Sequence, residues 1–356
     1  MMALATPVGR ALPDGADHEE LAVVRGERSG ATMSVAIHST LLGPALGGAR
    51  IWHYDRDQDG VADSLRLAEA MTYKAAAAGL DLGGGKGVIC SPTPDAPTGE
   101  LRRAILHDFG DLVESLGGRY ITAEDVGTAT EDMVEISSRT THVTGLPVER
   151  GGVGDPSPFT AAGVQAAMRA ACAHAFGSSA LAGRSVVVIG LGHVGERLAR
   201  GLTEAGADVT VSDIQSEKRA LASELDARWL EPDAAIVAEL DVVAPCAVGG
   251  AIHARNVDSL ACRVVCGAAN NQLADERLAD RLHERGILFT PDFIVNAGGL
   301  INVYRELHGT DAADATRLVL GIEDVVATIF AEATERGTTP LAAARAHASR
   351  RLDAAR

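Results

Sequence analysis

SVVVIGLGHVGERLARGLTEAGADVTVSDI, residues 185–214, reads as strand, glycine turn, helix and second strand. Val186 to Ile189 are apolar and β-branched, as a strand buried on both faces requires. They feed Gly190-Leu191-Gly192-His193-Val194-Gly195, a GxGxxG turn opening a helix. Gly190 permits the tight turn, Gly192 lets backbone approach a pyrophosphate, and Gly195 allows close packing of helix on strand. The helix N-terminus offers amide donors and a favourable dipole to phosphates. Asp213 closes the next strand, where a carboxylate accepts from adenosine ribose hydroxyls and repels a 2′-phosphate. The predicted cofactor is therefore NAD rather than NADP. Its site takes in Gly190, Gly192, His193, Val194, Gly195 and Asp213, with His193 facing solvent or phosphate rather than acting as a catalyst.

Outward from this unit the pattern repeats. Strands are predicted at 241–244, 263–266 and 287–290, with helices between, and a helix runs from about Thr160 to Phe176. Alternation of this kind makes a doubly wound parallel sheet. The glycine- and proline-rich GGVGDPSP at 151–158 is the predicted boundary with what precedes it. There, MSVAI at 33–37 reads as a strand, GPALGGAR at 43–50 as a turn-rich segment, and 61–78 as an amphipathic helix stopped by Gly79. DLGGGKGVIC reads as a glycine loop entering a sheet, 101–116 as a helix ended by Gly117 and Gly118, and Tyr120 to Ala123 as a strand. Glu124 and Asp125 sit at that strand's carboxyl end, where ligands bind in open α/β sheets. The fold class is α/β with two domains, an N-terminal α/β domain and a Rossmann-type domain, and a cleft between them.

Composition narrows the function classes. Acidic residues outnumber basic ones 48 to 32, for a formal charge of −16, which repels nucleic acid. No apolar run reaches bilayer-spanning length, so no membrane partner is expected. The first twenty residues lack the apolar stretch of a signal peptide and read as a short disordered tail, making the expected location cytoplasmic. Cys90, Cys172, Cys246, Cys262 and Cys266 form no CxxC pair and read as reduced, buried thiols, so no metal is expected. Only three basic residues are lysine: Lys74, Lys86 and Lys218. Lysine can lose its proton where its surroundings disfavour charge, whereas arginine cannot. GGGKGVI is not a phosphate-binding P-loop, because Leu80 stands where that pattern needs glycine and Gly87 follows the lysine. From spacing alone, Lys74, Lys86 and Asp125 would pass as surface lysines and an ion-paired or helix-capping aspartate.

GPALGGAR, MTYKAAAAGLDLGGGKGVI, YITAEDVGT, GDPSPFTA, GLGHVG, VVCGAANNQL and PDFIVNAGGLINV carry a further reading. In this order, from about Ala36 to Glu306, they resemble the glutamate/leucine/phenylalanine/valine dehydrogenase family, closest to its leucine, valine and phenylalanine branch. The resemblance implies NAD-dependent, reversible oxidative deamination of an apolar L-amino acid to its 2-oxo acid and ammonia. It implies that Lys74, with Asn270, binds the substrate carboxylate, that Lys86 is the catalytic amine and that Asp125 assists proton transfer. It places Thr160, Asn270 and Asn296 near the nicotinamide, and Leu46, Gly47, Ala123, Leu300 and Val303 around the substrate. Glutamate enzymes carry lysine where this chain has Leu46. The aliphatic lining implies leucine, valine or isoleucine, with phenylalanine or another bulky apolar amino acid as the alternative. The family usually has Asn after its first lysine, and this chain has Ala75. A substrate domain at 1–148, rejoined by a C-terminal helix at 329–356, an NAD domain at 149–328 and a homo-oligomer are further expectations. A Rossmann hydroxy-acid dehydrogenase or a non-catalytic nucleotide sensor would not need the Lys74, Lys86 and Asp125 set.

Overall fold

The computed structural model describes residues 6–9 (backbone only), 12, 16–309 and 311–356. The chain divides into two compact units. The first runs as far as Asp155 and includes Glu306–Gly309 and Ser349–Arg356. The second takes Pro156–Arg305 and the helices that follow as far as Ala348.

In the first unit the elements are β1 (Thr6–Gly9), β2 (Glu20–Arg25), β3 (Thr32–Ser39), β4 (Ala45–Trp52), α1 (Asp57–Ala77), β5 (Gly83–Cys90), α2 (Gly99–Glu114), β6 (Tyr120–Glu124) and α3 (Thr130–Ser137). The sheet order is β1-β2-β3-β5-β4-β6. The first three strands and β5 pair antiparallel, while β4 runs parallel to β5 and β6. The tail expectation needs correction at Thr6–Gly9, which pairs with β2. Residues 1–5, 10, 11 and 13–15 of that expectation lie outside the described residues.

Two glycine-rich segments also depart from expectation. GPALGGAR is mostly strand β4 and not a turn, and the glycines of GGGKGVIC belong to strand β5 itself rather than to a loop before it. The cause is proximity. A Cβ at Gly84 would lie 2.1 Å from the Thr72 amide nitrogen on α1, and one at Gly87 would lie 2.4 Å from the Phe109 ring on α2. Glycine serves here to let helices press onto both faces of one strand. Beneath α2 and α3 lies a core of Met33, Val35, Ile37, Ile89, Ile105, Phe109, Tyr120, Met133 and Ile136. The α1 face is smaller in side chain, with Ala36, Ala68 and Leu21 buried together. Helix α1 carries Asp57 and Asp59 in its first turn, which suits its dipole, and Gly79 follows its end at φ +73°.

The second unit contains α4 (Ser157–Phe176), β7 (Ser185–Ile189), α5 (His193–Glu204), β8 (Asp208–Ser212), α6 (Arg219–Glu224), β9 (Arg228–Trp229), α7 (Pro232–Ala235), β10 (Val242–Pro245), β11 (Val264–Val265), α8 (Leu278–Glu284), β12 (Leu288–Phe289), α9 (Asp292–Val295), α10 (Gly298–His308), α11 (Ala312–Leu320), α12 (Ile322–Arg336) and α13 (Pro340–Ala355). Helices α10 and α13 run on into residues grouped with the first unit. The six strands are all parallel in the order β12-β11-β10-β7-β8-β9. This is the Rossmann arrangement, with the strand order reversing beside β7. Val186, Val187 and Val188 are fully buried. Cys90, Cys172, Cys262 and Cys266 are buried, Cys246 is half-buried, and all five are free thiols. Among the described residues no helix is long and apolar enough to cross a membrane.

Candidate active site

The mixed sheet of the first unit brings Arg50 and Lys86 to one face. Parallel register sets Leu46 beside Gly84 and Ile121, and Gly48 beside Ala123, while Ala36 lies opposite Lys86. Side chains alternate along a strand, so Leu46, Arg50, Lys86 and Ala123 share the face that α1 covers. Leu46 and Lys86 are buried, at 2% and 5% exposure, and Ala123 is half-buried.

Lys86 Nζ lies 2.8 Å from Asp125 Oδ2. The carboxylate is reached only because Gly48 has no side chain: a Cβ there would sit 2.6 Å from the Asp125 Cβ. The Asp125 amide donates to Thr128 Oγ1 at 2.8 Å, and that hydroxyl donates to the Ala49 carbonyl at 2.9 Å. Gly47 is held alongside, its carbonyl accepting from the buried Tyr120 hydroxyl at 2.5 Å.

Sequence reasoning gave Arg50 no role, although it ends the quoted segment GPALGGAR. Its Nε donates to the same Asp125 Oδ2 at 3.0 Å, and a terminal nitrogen meets Asp63 Oδ2 at 2.9 Å. Asp63 also accepts from Tyr54 at 2.8 Å and from Arg66 at 2.7 Å. The charged set is therefore Lys86, Asp125, Arg50, Asp63 and Arg66 in sequence.

Electrostatics follow from burial and these partners. Burial drives the Lys86 ammonium below the usual lysine range, Asp125 opposes that shift, Arg50 adds to it, and the net is downward. Burial pushes the Asp125 carboxyl up, but the Lys86 and Arg50 cations outweigh it and hold it below the usual carboxylate range. An amine that sheds its proton more readily than a free lysine, beside an ionised carboxylate, can serve as a general base. Lys74 lies half-buried in the last turn of α1, and Ala75 beside it is buried.

In the second unit the glycine turn has the geometry that a dinucleotide needs. Gly190 adopts φ +100°, and a Cβ on Gly195 would lie 1.8 Å from the Gly190 carbonyl. Nothing lies within 4 Å of where a Cβ on Gly192 would point, leaving that backbone open to a ligand. His193 is exposed and Val194 half-buried at the start of α5. Asp213 Oδ2 accepts from the Leu191 amide at 2.6 Å, and Oδ1 from the Gln215 amide at 2.8 Å. That anchors the acid at the carboxyl end of β8, beside the turn. Asn296, nearly buried, donates to Asn270 Oδ1 at 2.8 Å and to the Ala268 carbonyl at 3.1 Å. Thr160, in the first turn of α4, donates to the Pro156 carbonyl at 3.2 Å, and a Cβ on Gly299 would lie 3.0 Å from its hydroxyl. Leu300 is buried and Val303 half-buried on α10, one turn apart. Lys86 is thus brought to Asp125, Asn270 to Asn296, and Asp213 to the glycine turn. Leu46 and Ala123 belong to the first unit, Leu300 and Val303 to the second.

Known proteins match both halves. A family model described as Glu/Leu/Phe/Val dehydrogenase, dimerisation domain, matches residues 19–142, and one described as Glutamate/Leucine/Phenylalanine/Valine dehydrogenase matches 214–356. A leucine dehydrogenase of Bacillus subtilis is 46% identical over 308 residues, covering 86% of this chain and 83% of that protein. A valine dehydrogenase of Streptomyces coelicolor is 43% identical, covering 96% and 94%. The solved structure of L-tryptophan dehydrogenase from Nostoc punctiforme aligns with a TM-score of 0.83 at 36% identity, covering 96% of this chain and 97% of that one. With both halves matched and relatives this similar over nearly its whole length, the chain belongs to the glutamate/leucine/phenylalanine/valine dehydrogenase family.

Proposed function

We propose that this protein catalyses the NAD-dependent, reversible oxidative deamination of a branched-chain L-amino acid to its 2-oxo acid and ammonia. The observation that carries the reading is the buried Lys86 amine 2.8 Å from an ionised Asp125. NAD, when bound, supplies the hydride acceptor. The open backbone at Gly192, the first-turn amides of α5 and the anchored Asp213 suit its pyrophosphate and ribose. The Asp213 carboxylate repels a 2′-phosphate of like charge, which favours NAD over NADP.

The residues of the chain then divide the work. Lys74, with Asn270, holds the substrate carboxylate, and Thr160 and Asn296 position the ring that takes the hydride. Loss of hydride from the substrate Cα leaves an iminium carbon. Neutral Lys86 takes a proton from the water that attacks this carbon; the resulting ammonium, held by Asp125, returns that proton to the substrate nitrogen, and Lys86 then takes the hydroxyl proton as the C–N bond breaks to give the 2-oxo acid and ammonia. Reversal uses the same groups in the opposite order. A buried leucine at position 46 leaves the second carboxylate of glutamate unpaired, at a cost of several kcal/mol. Leu46, Ala123, Leu300 and Val303 suit an aliphatic side chain, with Gly47 allowing close approach beside them. The relatives named above include leucine, valine and tryptophan enzymes, so side-chain size is the open variable. A homo-oligomer is part of the same reading, supported by the dimerisation-domain match.

A steady-state panel of leucine, isoleucine, valine, phenylalanine, tryptophan and glutamate with NAD, followed by NADH absorbance, tests the reading. The expected order places the branched-chain substrates first and glutamate last. Highest kcat/KM on an aromatic substrate would replace the branched-chain assignment, and highest kcat/KM on glutamate would remove the pocket argument.

A further inference from the structure

Asp125 Oδ2 accepts from two cations at once, Lys86 at 2.8 Å and Arg50 at 3.0 Å. The guanidinium adds a positive potential at the Lys86 amine that offsets part of the pull of the carboxylate. A lone Lys–Asp pair would hold the lysine protonated, which is the wrong state for a base. Arg50 never titrates in the working range, so its claim on Asp125 is permanent. It is fixed from behind by Asp63, which is itself held by Tyr54 and Arg66. We infer that Arg50, anchored by Asp63, is a positioning residue that shares Asp125 with Lys86 and so lets Lys86 shed its proton at a lower pH than the two-membered pair would allow.

Each element packed against β5 brings its own titratable or charged groups. Arg50 comes from β4 and Asp63 and Lys74 from α1, while Tyr120 comes from β6 and Asp125 follows it. On the antiparallel neighbour β3 the residue opposite Lys86 is Ala36, which is neutral, and His38 lies two residues on. Burial pushes the Tyr120 phenol up, so it stays neutral in this range. Arg50 is thus the one permanent cation sharing a carboxylate oxygen with Lys86 among the described residues. Arg50 and Asp63 also line an open pocket of about 530 Å³ with Trp52, Tyr54 and Val126. Water reaching that side screens the guanidinium, which places the effect near the low end of the one-to-three-unit range for a close charge, about one pH unit.

The test uses the low lysine count. With only Lys74, Lys86 and Lys218 present, full-length protein labelled with ε-¹³C lysine gives a spectrum in which each amine titrates separately. In Arg50→Gln the Lys86 midpoint should rise by about one unit, lowering the neutral fraction about tenfold below the midpoint, while the Lys218 midpoint stays fixed. Arg50→Lys, which keeps the charge, should bring the Lys86 midpoint most of the way back. Arg50→Met substitutes if the Gln variant does not accumulate in folded form. The acidic limb of kcat/KM should move with the Lys86 midpoint. An unmoved Lys86 midpoint in the charge-removing variant overturns the inference. The inference rests on Lys86 being the base, but the two can fail separately. A midpoint that moves while the kinetic limb stays would remove Lys86 as the base and leave the influence of Arg50 intact.

Discussion

Lys86 is buried among small residues on a glycine-rich strand, so its amine has no solvent to support the charged form. Replacing it by alanine removes the proton acceptor but no part of the glycine turn at Gly190–Gly195. Lys86→Ala should therefore lower turnover by on the order of 10³-fold or more, while dinucleotide binding, read by quenching of protein fluorescence, stays within about twofold. Near-normal turnover would take Lys86 out of the chemistry. At this scale the sequence was partly legible. Lys74, Lys86 and Asp125 stood out through their segments, and Asp213 through its place after a strand. Arg50 did not, because its partner just after β6 lies 75 residues away and nothing local to GPALGGAR marks an arginine as bound to a distant carboxylate. Asp63 was hidden although its partners Arg50, Tyr54 and Arg66 lie within 13 residues, because an aspartate on a helix reads as solvated.

Among the elements, glycine misleads wherever it works through contact rather than conformation. The second unit was readable in detail because strand β7, the turn and α5 follow one another within 20 residues, 185–204. Strands β4 and β5 were misread because glycine is normally a chain breaker, and the helices that demand it there come from elsewhere in the sequence. The two uses separate by mutation. Gly84→Ala forces a methyl group against the Thr72 amide, at 2.1 Å, and should destabilise the protein by about 1–3 kcal/mol in urea unfolding. Gly192→Ala meets open space at φ −71°, so it should unfold with the parent protein yet bind the dinucleotide more weakly. Equal unfolding midpoints for both variants would contradict the packing account of β5.

Taken whole, the molecule carries a formal charge of −16 on two units that each have their own sheet and core. Ligand binding to the native state alone stabilises it by about 2.7 kcal/mol at a hundredfold excess over Kd. A thermal melt should therefore shift upward with NAD and much less with NADP at equal concentration, because Asp213 repels the extra phosphate. An equal shift with both would remove Asp213 from cofactor choice. The described α13 carries Arg351, whose guanidinium donates to the Leu80 carbonyl at 2.7 Å and to the carbonyls of Ala75 and Ala76 at 3.3 Å, and pairs with Asp81. This arginine ties down the chain between α1 and β5, just ahead of Lys86. It stands 271 residues after Leu80. A ribosome delivers it only after the whole of the intervening polypeptide has been made. The segment leading into the lysine-bearing strand must therefore wait for its arginine until position 351 has been made, and a nascent chain halted before it leaves the tunnel with that connection open.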